Sequence, residues 1–286
     1  MRLEKQQRSL PALDRLELSY RGRAISIPYF LRRGSGPAIL FIHGLGGAKE
    51  NFYTAFQTGA LDQCMLVAFD NPGTGLAGFD PAQSPDVSAL GDIAHLVSEK
   101  LMPEHYFIAA ASMGGLIALL KLRSHGARGI DGFVNIEGNL LPEDCMFSRR
   151  TASHDPDTFR ATVFFEMISE LRNSPHTGDR IIAENMAMNT DARAYHAFSH
   201  QTVAESDSGR LVQEFVALKI PRLFLYGHAN RSLSYLNRLR QSSVEVREIP
   251  RAGHFLFYDN PLETFAAIGE FVQRHGASAN RNTLAR

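Results

Sequence analysis

The hexapeptide Ala110-Ala111-Ser112-Met113-Gly114-Gly115 is where chemistry is easiest to read in this chain of 286 residues. A serine between an apolar run and a helix-forming run, with glycine two residues later, has the context of a nucleophile elbow. Such a turn is so tight that the residues two before and two after the serine must be small. Gly114 meets that demand, and Ala110 stands where the usual G-x-S-x-G pattern has its first glycine. The competing reading is a glycine-rich strand-to-helix turn with an incidental serine. A second candidate is His43-Gly44-Leu45-Gly46-Gly47, directly after another apolar run. Glycines there let backbone approach a ligand, and backbone N–H groups are the donors that stabilise an oxyanion. A phosphate loop is the rival reading, but no GxxxxGK[ST] is present. The third candidate is His254 in Ala252-Gly253-His254-Phe255, at the end of a strand pattern, where open α/β sheets place their sites.

The elements that must hold these residues follow from the apolar runs. Residues 38–42, 65–69, 106–111, 132–136, 222–226 and 244–249 are short and largely continuous in apolar character, as strands buried on both faces are. The last run is more polar and is expected nearer an edge. Residues 87–101, 114–124 and 262–275 carry helical spacing, with Pro261 placed to start the last. Residues 15–20 and 24–31 read as an antiparallel hairpin around Arg21-Gly22-Arg23. Alternating strand and helix predicts an α/β fold with a mostly parallel sheet and helices on both faces. The tail from Gly276 is small and polar and is expected to fray.

One stretch breaks the rhythm. Residues 138–220 hold helical patterns at 157–171, 179–188, 191–205 and 208–218, and a structureless loop of that length is improbable in a compact domain. The expected organisation is a core domain of residues 1–138 and 221–286, with residues 139–220 inserted as an α-helical cap.

This order of elbow, glycine loop, histidine and insertion resembles the α/β-hydrolase fold superfamily, over about residues 15–275. Asp70-Asn71-Pro72-Gly73-Thr74-Gly75 is similar to the D-x-P-G-x-G turn after the fourth strand of that fold. The resemblance implies that Ser112 is the nucleophile, His254 the general base, and the Leu45 and Met113 N–H groups the oxyanion hole. In most relatives the third triad member is an Asp after strand seven, in a Y-G-x-x-D pattern. Here the chain reads Tyr226-Gly227-His228-Ala229-Asn230, and residues 221–244 contain no Asp or Glu. Some relatives place the acid after strand six, and Glu137 sits there. A Ser112–His254–Glu137 triad is therefore expected, with Asp144 and Glu143 as fallback acids and Asn230 as a third option.

The resemblance implies a serine hydrolase cleaving a small or medium, largely apolar carboxylic ester, thioester or lactone through an acyl-enzyme, with no cofactor. A serine nucleophile speaks against dehalogenases and epoxide hydrolases, whose relatives use aspartate there. The same triad also serves acyl transfer, C–C bond hydrolysis or lyase chemistry, and a non-catalytic ligand-binding relative is a further alternative. His228, Gly44, Phe165 and Met188 are candidate substrate contacts.

Composition bounds the partners. Thirty basic and thirty acidic residues balance, and no run of five like charges appears, which argues against a nucleic-acid partner. The two cysteines are far apart and form no metal or disulfide framework. His196 and His200 are four apart on a helix pattern, but without HExxH or a nearby Cys no metal is expected. Residues 1–18 lack an apolar signal core, and no stretch approaches the roughly 20 apolar residues of a membrane span. A cytoplasmic protein with a small-molecule substrate is the expectation, and it leaves room for a homodimer.

Overall fold

The computed structural model describes residues 11–82 and 86–283, with side chains up to residue 276. Part of the reading of residues 1–18 therefore lies outside the described residues. Eight strands form one sheet in the order β1-β2-β4-β3-β5-β6-β7-β8. The hairpin β1 (Ala12–Tyr20) and β2 (Arg23–Arg32) is antiparallel, and β2 pairs antiparallel with β4 (Met65–Phe69). From β4 through β3 (Ala38–Ile42), β5 (Tyr106–Ala111), β6 (Ile130–Ile136), β7 (Arg222–Gly227) and β8 (Glu245–Ile249) every pairing is parallel.

The continuous apolar runs have a direct cause. Alternate side chains of a strand face opposite sides of a sheet, and both sides are covered here. Leu40, Ile42, Val67, Ile108 and Ala110 pack on the face that carries α1 (Val87–Leu101) and α2 (Met113–His125). Ile39, Phe41, Leu66, Phe107 and Ala109 pack on the other face, against the 3₁₀ turn of Lys49–Phe56 and α11 (Pro261–Thr283). The Asp86 carboxylate caps α1 by accepting the Ala89 N–H at 2.8 Å. Only β7 pairs with β8, whose side chains are mostly half-buried, as its polar sequence required. The expected fraying at Gly276 is corrected: the helix continues to Thr283.

Between β6 and β7 the chain is helical. It runs through α3 (Met146–Ala152), α4 (Pro156–Thr158), a π turn at Phe159–Val163, α5 (Phe164–Arg172), α6 (Thr177–Asn189), α7 (Ala192–Asp207) and α8 (Leu211–Ala217). The pattern at 157–171 is thus one helical run widened by a π turn, and α3 is an element the periodicity did not reveal. Backbone and side-chain bonds tie this segment to the sheet's loops. Gly75 N–H donates to Asn189 O, Asp191 N–H donates to Gly73 O, and Asn185 Nδ2 donates to Gly46 O at 2.6 Å. After β7 come α9 (Leu236–Arg240) and, beyond β8, α10 (Leu256–Asp259). No helix among the described residues is long and apolar enough to cross a membrane.

Candidate active site

The turn between β5 and α2 leaves Ser112 at φ 53, ψ −129, a conformation that L-residues rarely hold. Neighbours hold it there. Its N–H donates to Ile136 O at 3.0 Å, and Gly115 N–H donates to Ser112 O at 2.8 Å. Bulk is excluded on all sides: a Cβ on Gly114 would lie 2.3 Å from Ile42 O, and one on Gly115 2.7 Å from Gly138 Cα. Non-glycine residues with positive φ number four among the described residues: Arg21, Ser112, Glu137 and Arg251. Three of these lie in the loops that carry Ser112, Glu137 and His254. Strain of this kind costs of order 1–3 kcal/mol per residue and persists only where the surroundings impose it.

The glycine loop lies against the elbow. A Cβ on Gly44 would sit 2.7 Å from Ser112 Cβ and 3.2 Å from Met113 N. Among the described residues neither the Leu45 nor the Met113 N–H meets an internal acceptor. Two free donors beside a serine are what a tetrahedral oxyanion needs. Behind the loop, His43 is buried. Its Nδ1 bonds Gly44 O at 2.8 Å while Nε2 accepts the Asn71 N–H at 3.0 Å, so Nδ1 carries the proton. Burial pushes the His43 pKa down, which keeps that neutral tautomer.

His254 Nδ1 donates to Glu137 Oε2 at 2.7 Å. The Glu137 carboxylate, buried at the end of β6, also accepts the Gly227 N–H at 2.6 Å on Oε1 and Asn230 Nδ2 at 2.7 Å on Oε2. Asn230 is therefore a donor to the acid. Burial works to lower the His254 pKa, but the hydrogen bond and charge of Glu137, aided by the Asp144 charge, outweigh it and raise the value. An imidazole so held can take a proton on Nε2 and have its charge compensated.

Ser112, Met113, Leu45, Glu137, Asn230 and His254 line one cavity of about 140 Å³. Half of its remaining lining residues are apolar or aromatic and come from between β6 and β7: Met146, Phe147, Leu171, Ile182, Met186 and Tyr195. The two fallback acids also line it but are engaged elsewhere. Glu143 accepts from Ser234 N and Oγ, and Asp144 accepts from Leu140 N, Leu141 N and the Tyr235 hydroxyl.

Asp144 also supplies a pH prediction. Burial raises its pKa from 3.8 to about 6, against the pull of its three donors. A raised carboxyl pKa means the unfolded chain loses its proton first. Stability from this group is present below about pH 4 and falls as pH rises towards 6. The difference is about 3 kcal/mol. Asp144→Asn keeps an oxygen for the two backbone donors and flattens the loss between pH 4 and 6. Thermal melts of both proteins across that range check it, and parallel curves would rule it out.

The sequence profile of the alpha/beta hydrolase family matches residues 39–268. The chain belongs to that family. Among curated relatives, protein PHYLLO, chloroplastic, of Arabidopsis thaliana is 24% identical over 283 residues; the match covers 87% of this chain and only 16% of that protein. The 2-succinyl-6-hydroxy-2,4-cyclohexadiene-1-carboxylate synthase of Serratia proteamaculans is 22% identical, covering 84% of this chain and 94% of the relative. Among solved structures, a thermophilic esterase of Thermogutta terrifontis aligns at a TM-score of 0.74 and 20% identity, covering 92% of this chain and 99% of that one. The N-acyl homoserine lactonase AidH with N-hexanoyl homoserine aligns at 0.70 and 17%, covering 92% and 98%. Likenesses this distant carry the fold.

Within this hydrolase fold the other predicted contacts fall outside the cavity wall. Gly44 is buried beneath Ser112, where it serves close approach. His228 points outward, its Nδ1 2.6 Å from Glu248 Oε1. Phe165 and Met188 are 60% and 72% exposed, a correction with a simple cause. One residue turns a helix by about 100°, so Phe164 and Met186, one and two positions away, face inward instead. His196 spends Nε2 on His154 O, at 2.9 Å.

Proposed function

We propose that the protein is a serine hydrolase of small carboxylic esters, thioesters or lactones, with residues 139–220 as a cap over the site. In this reading the Ser112 Oγ attacks the carbonyl carbon while His254 Nε2 takes its proton. Glu137 holds the imidazole in the required tautomer and compensates the imidazolium. The Leu45 and Met113 N–H groups receive the oxyanion. Collapse of the tetrahedral intermediate expels the alcohol or thiol, protonated by His254, and leaves an acyl-enzyme. Water deprotonated by His254 then attacks that ester and releases the acid. The carrying observation is the His254–Glu137 pair at 2.7 Å, in the same cavity as a strained Ser112.

Cavity size supports small groups, since a cavity of about 150 Å³ holds a benzene. Charge favours hydrolysis of neutral compounds over the chemistry of the Serratia relative, whose name carries a succinyl and a carboxylate. Lys and Arg are absent from the described residues that line the cavity, so a dianion would lack a partner there. The test is a p-nitrophenyl ester series of increasing acyl length, with fluorophosphonate labelling. Short acyl chains should turn over fastest, and Ser112→Ala should abolish both turnover and labelling. No turnover together with no label on Ser112 would overturn the proposal.

A further inference from the structure

The Tyr195 ring lies in a closed aromatic setting. It stacks on Phe159 with centroids 5.8 Å apart and meets Phe164 edge-on at 5.6 Å. A Cβ on Gly46 would lie 3.1 Å from its Cε2, so the ring edge adjoins the loop that carries the Leu45 N–H. Phenylalanine would serve this packing equally well, which leaves the hydroxyl to be explained. Among the described residues nothing hydrogen-bonds it, and burial alone raises its pKa. The side chain is only 3% exposed, yet its oxygen is absent from the fully enclosed polar atoms that lack a partner. The hydroxyl therefore keeps accessible surface, and Tyr195 lines the cavity shared with Ser112 and His254.

A buried donor without an acceptor is costly, and a site with such a donor discriminates by whether the ligand satisfies it. We propose that Tyr195 is a specificity-determining donor, and that the preferred substrate carries a second acceptor oxygen beyond the carbonyl attacked by Ser112. A keto, hydroxyl or ether oxygen on the acyl group fits this description. The inference rests on the hydrolase reading for the word substrate, but the hydrogen bond itself can be tested without turnover.

Two measurements test it, each with Tyr195→Phe. The first compares p-nitrophenyl methoxyacetate with p-nitrophenyl butanoate, which differ by one oxygen for one methylene. The ratio of their kcat/KM values should fall about tenfold in Tyr195→Phe, roughly what one hydrogen bond contributes. The second uses the Ser112→Ala protein and reads ligand-induced shifts in Tm. Ethyl methoxyacetate, which carries a second oxygen beyond its carbonyl, should stabilise it more than ethyl butanoate, and adding Tyr195→Phe should erase that difference. Unchanged discrimination in both measurements overturns the proposal. So does a clear fall in Tm for Tyr195→Phe alone, which would mean the hydroxyl is already bonded in the resting protein. If neither p-nitrophenyl ester is turned over, the hydrolase reading fails, and equal preference for ethyl methoxyacetate in the two Ser112→Ala backgrounds then decides against Tyr195.

Discussion

Glu137→Gln lowers kcat for p-nitrophenyl esters by about four orders of magnitude, the loss seen where a triad carboxylate is made an amide. The reason is local. Glu137 Oε2 accepts from both His254 Nδ1 and Asn230 Nδ2, and Oε1 accepts from the Gly227 N–H. An amide presents one acceptor oxygen and one donor group to these three donors. Either His254 loses its anchor or a buried donor is left facing a donor. The compensating charge goes as well. In the native protein Glu137 lifts the His254 pKa above 6.5 despite burial. Without that carboxylate, burial is opposed only by the more distant Asp144 and Asp179 charges, and the value falls. The acid limb of kcat/KM should therefore move to lower pH as the rate falls. A pH–rate profile of both proteins reads both effects. Near-native kcat, or a limb that stays put, would remove Glu137 from the mechanism.

That acid shows what the sequence could reveal. Residues 221–244 carry no carboxylate, so the resemblance points to an acid after strand six, and Glu137 stands there. Hidden from the sequence was why Asn230 occupies the place of the usual Asp. A second carboxylate there would face Glu137, whereas the amide donates to it. The strands β3, β4 and β5 were readable to the residue, because burial on both faces gives unbroken apolar runs with sharp polar ends. The insertion was readable as helical but not in phase. Its helices are apolar on more than one side, and choosing between Met186 and Met188 requires the position of the sheet beneath. The sequence does not single out Tyr195, since nothing in its own neighbourhood signals a hydroxyl without a protein partner.

Lys49→Met should destabilise the protein by about 3–5 kcal/mol, the cost of leaving a buried partner charge unpaired. The Lys49 and Asp70 side chains are both 0% exposed. Lys49 Nζ lies 2.9 Å from Asp70 Oδ2 and 2.7 Å from Glu50 Oε1, with the Phe30 ring 5.0 Å away. Asp70 also accepts the Lys49 N–H at 2.8 Å and the Leu76 N–H at 2.9 Å. The pair thus joins the chain just after the Gly44–Gly47 loop to the turn after β4, whose Asn71 N–H holds His43. Methionine fills the lysine's volume but leaves the buried Asp70 carboxylate with two backbone N–H donors and no compensating charge. Urea unfolding should show the midpoint falling with m unchanged. Lys49→Met combined with Asp70→Asn should recover most of the loss, because the amide oxygen can still take a backbone N–H and the remaining carboxylate, Glu50, is 43% exposed and reaches water. The double-mutant cycle gives the coupling directly. A loss under about 1 kcal/mol in the single variant would mean that water reaches Asp70. The same variant should lower kcat more than it raises KM: the Leu45 N–H sits on the loop this pair anchors, and an oxyanion donor acts in the transition state rather than in substrate binding.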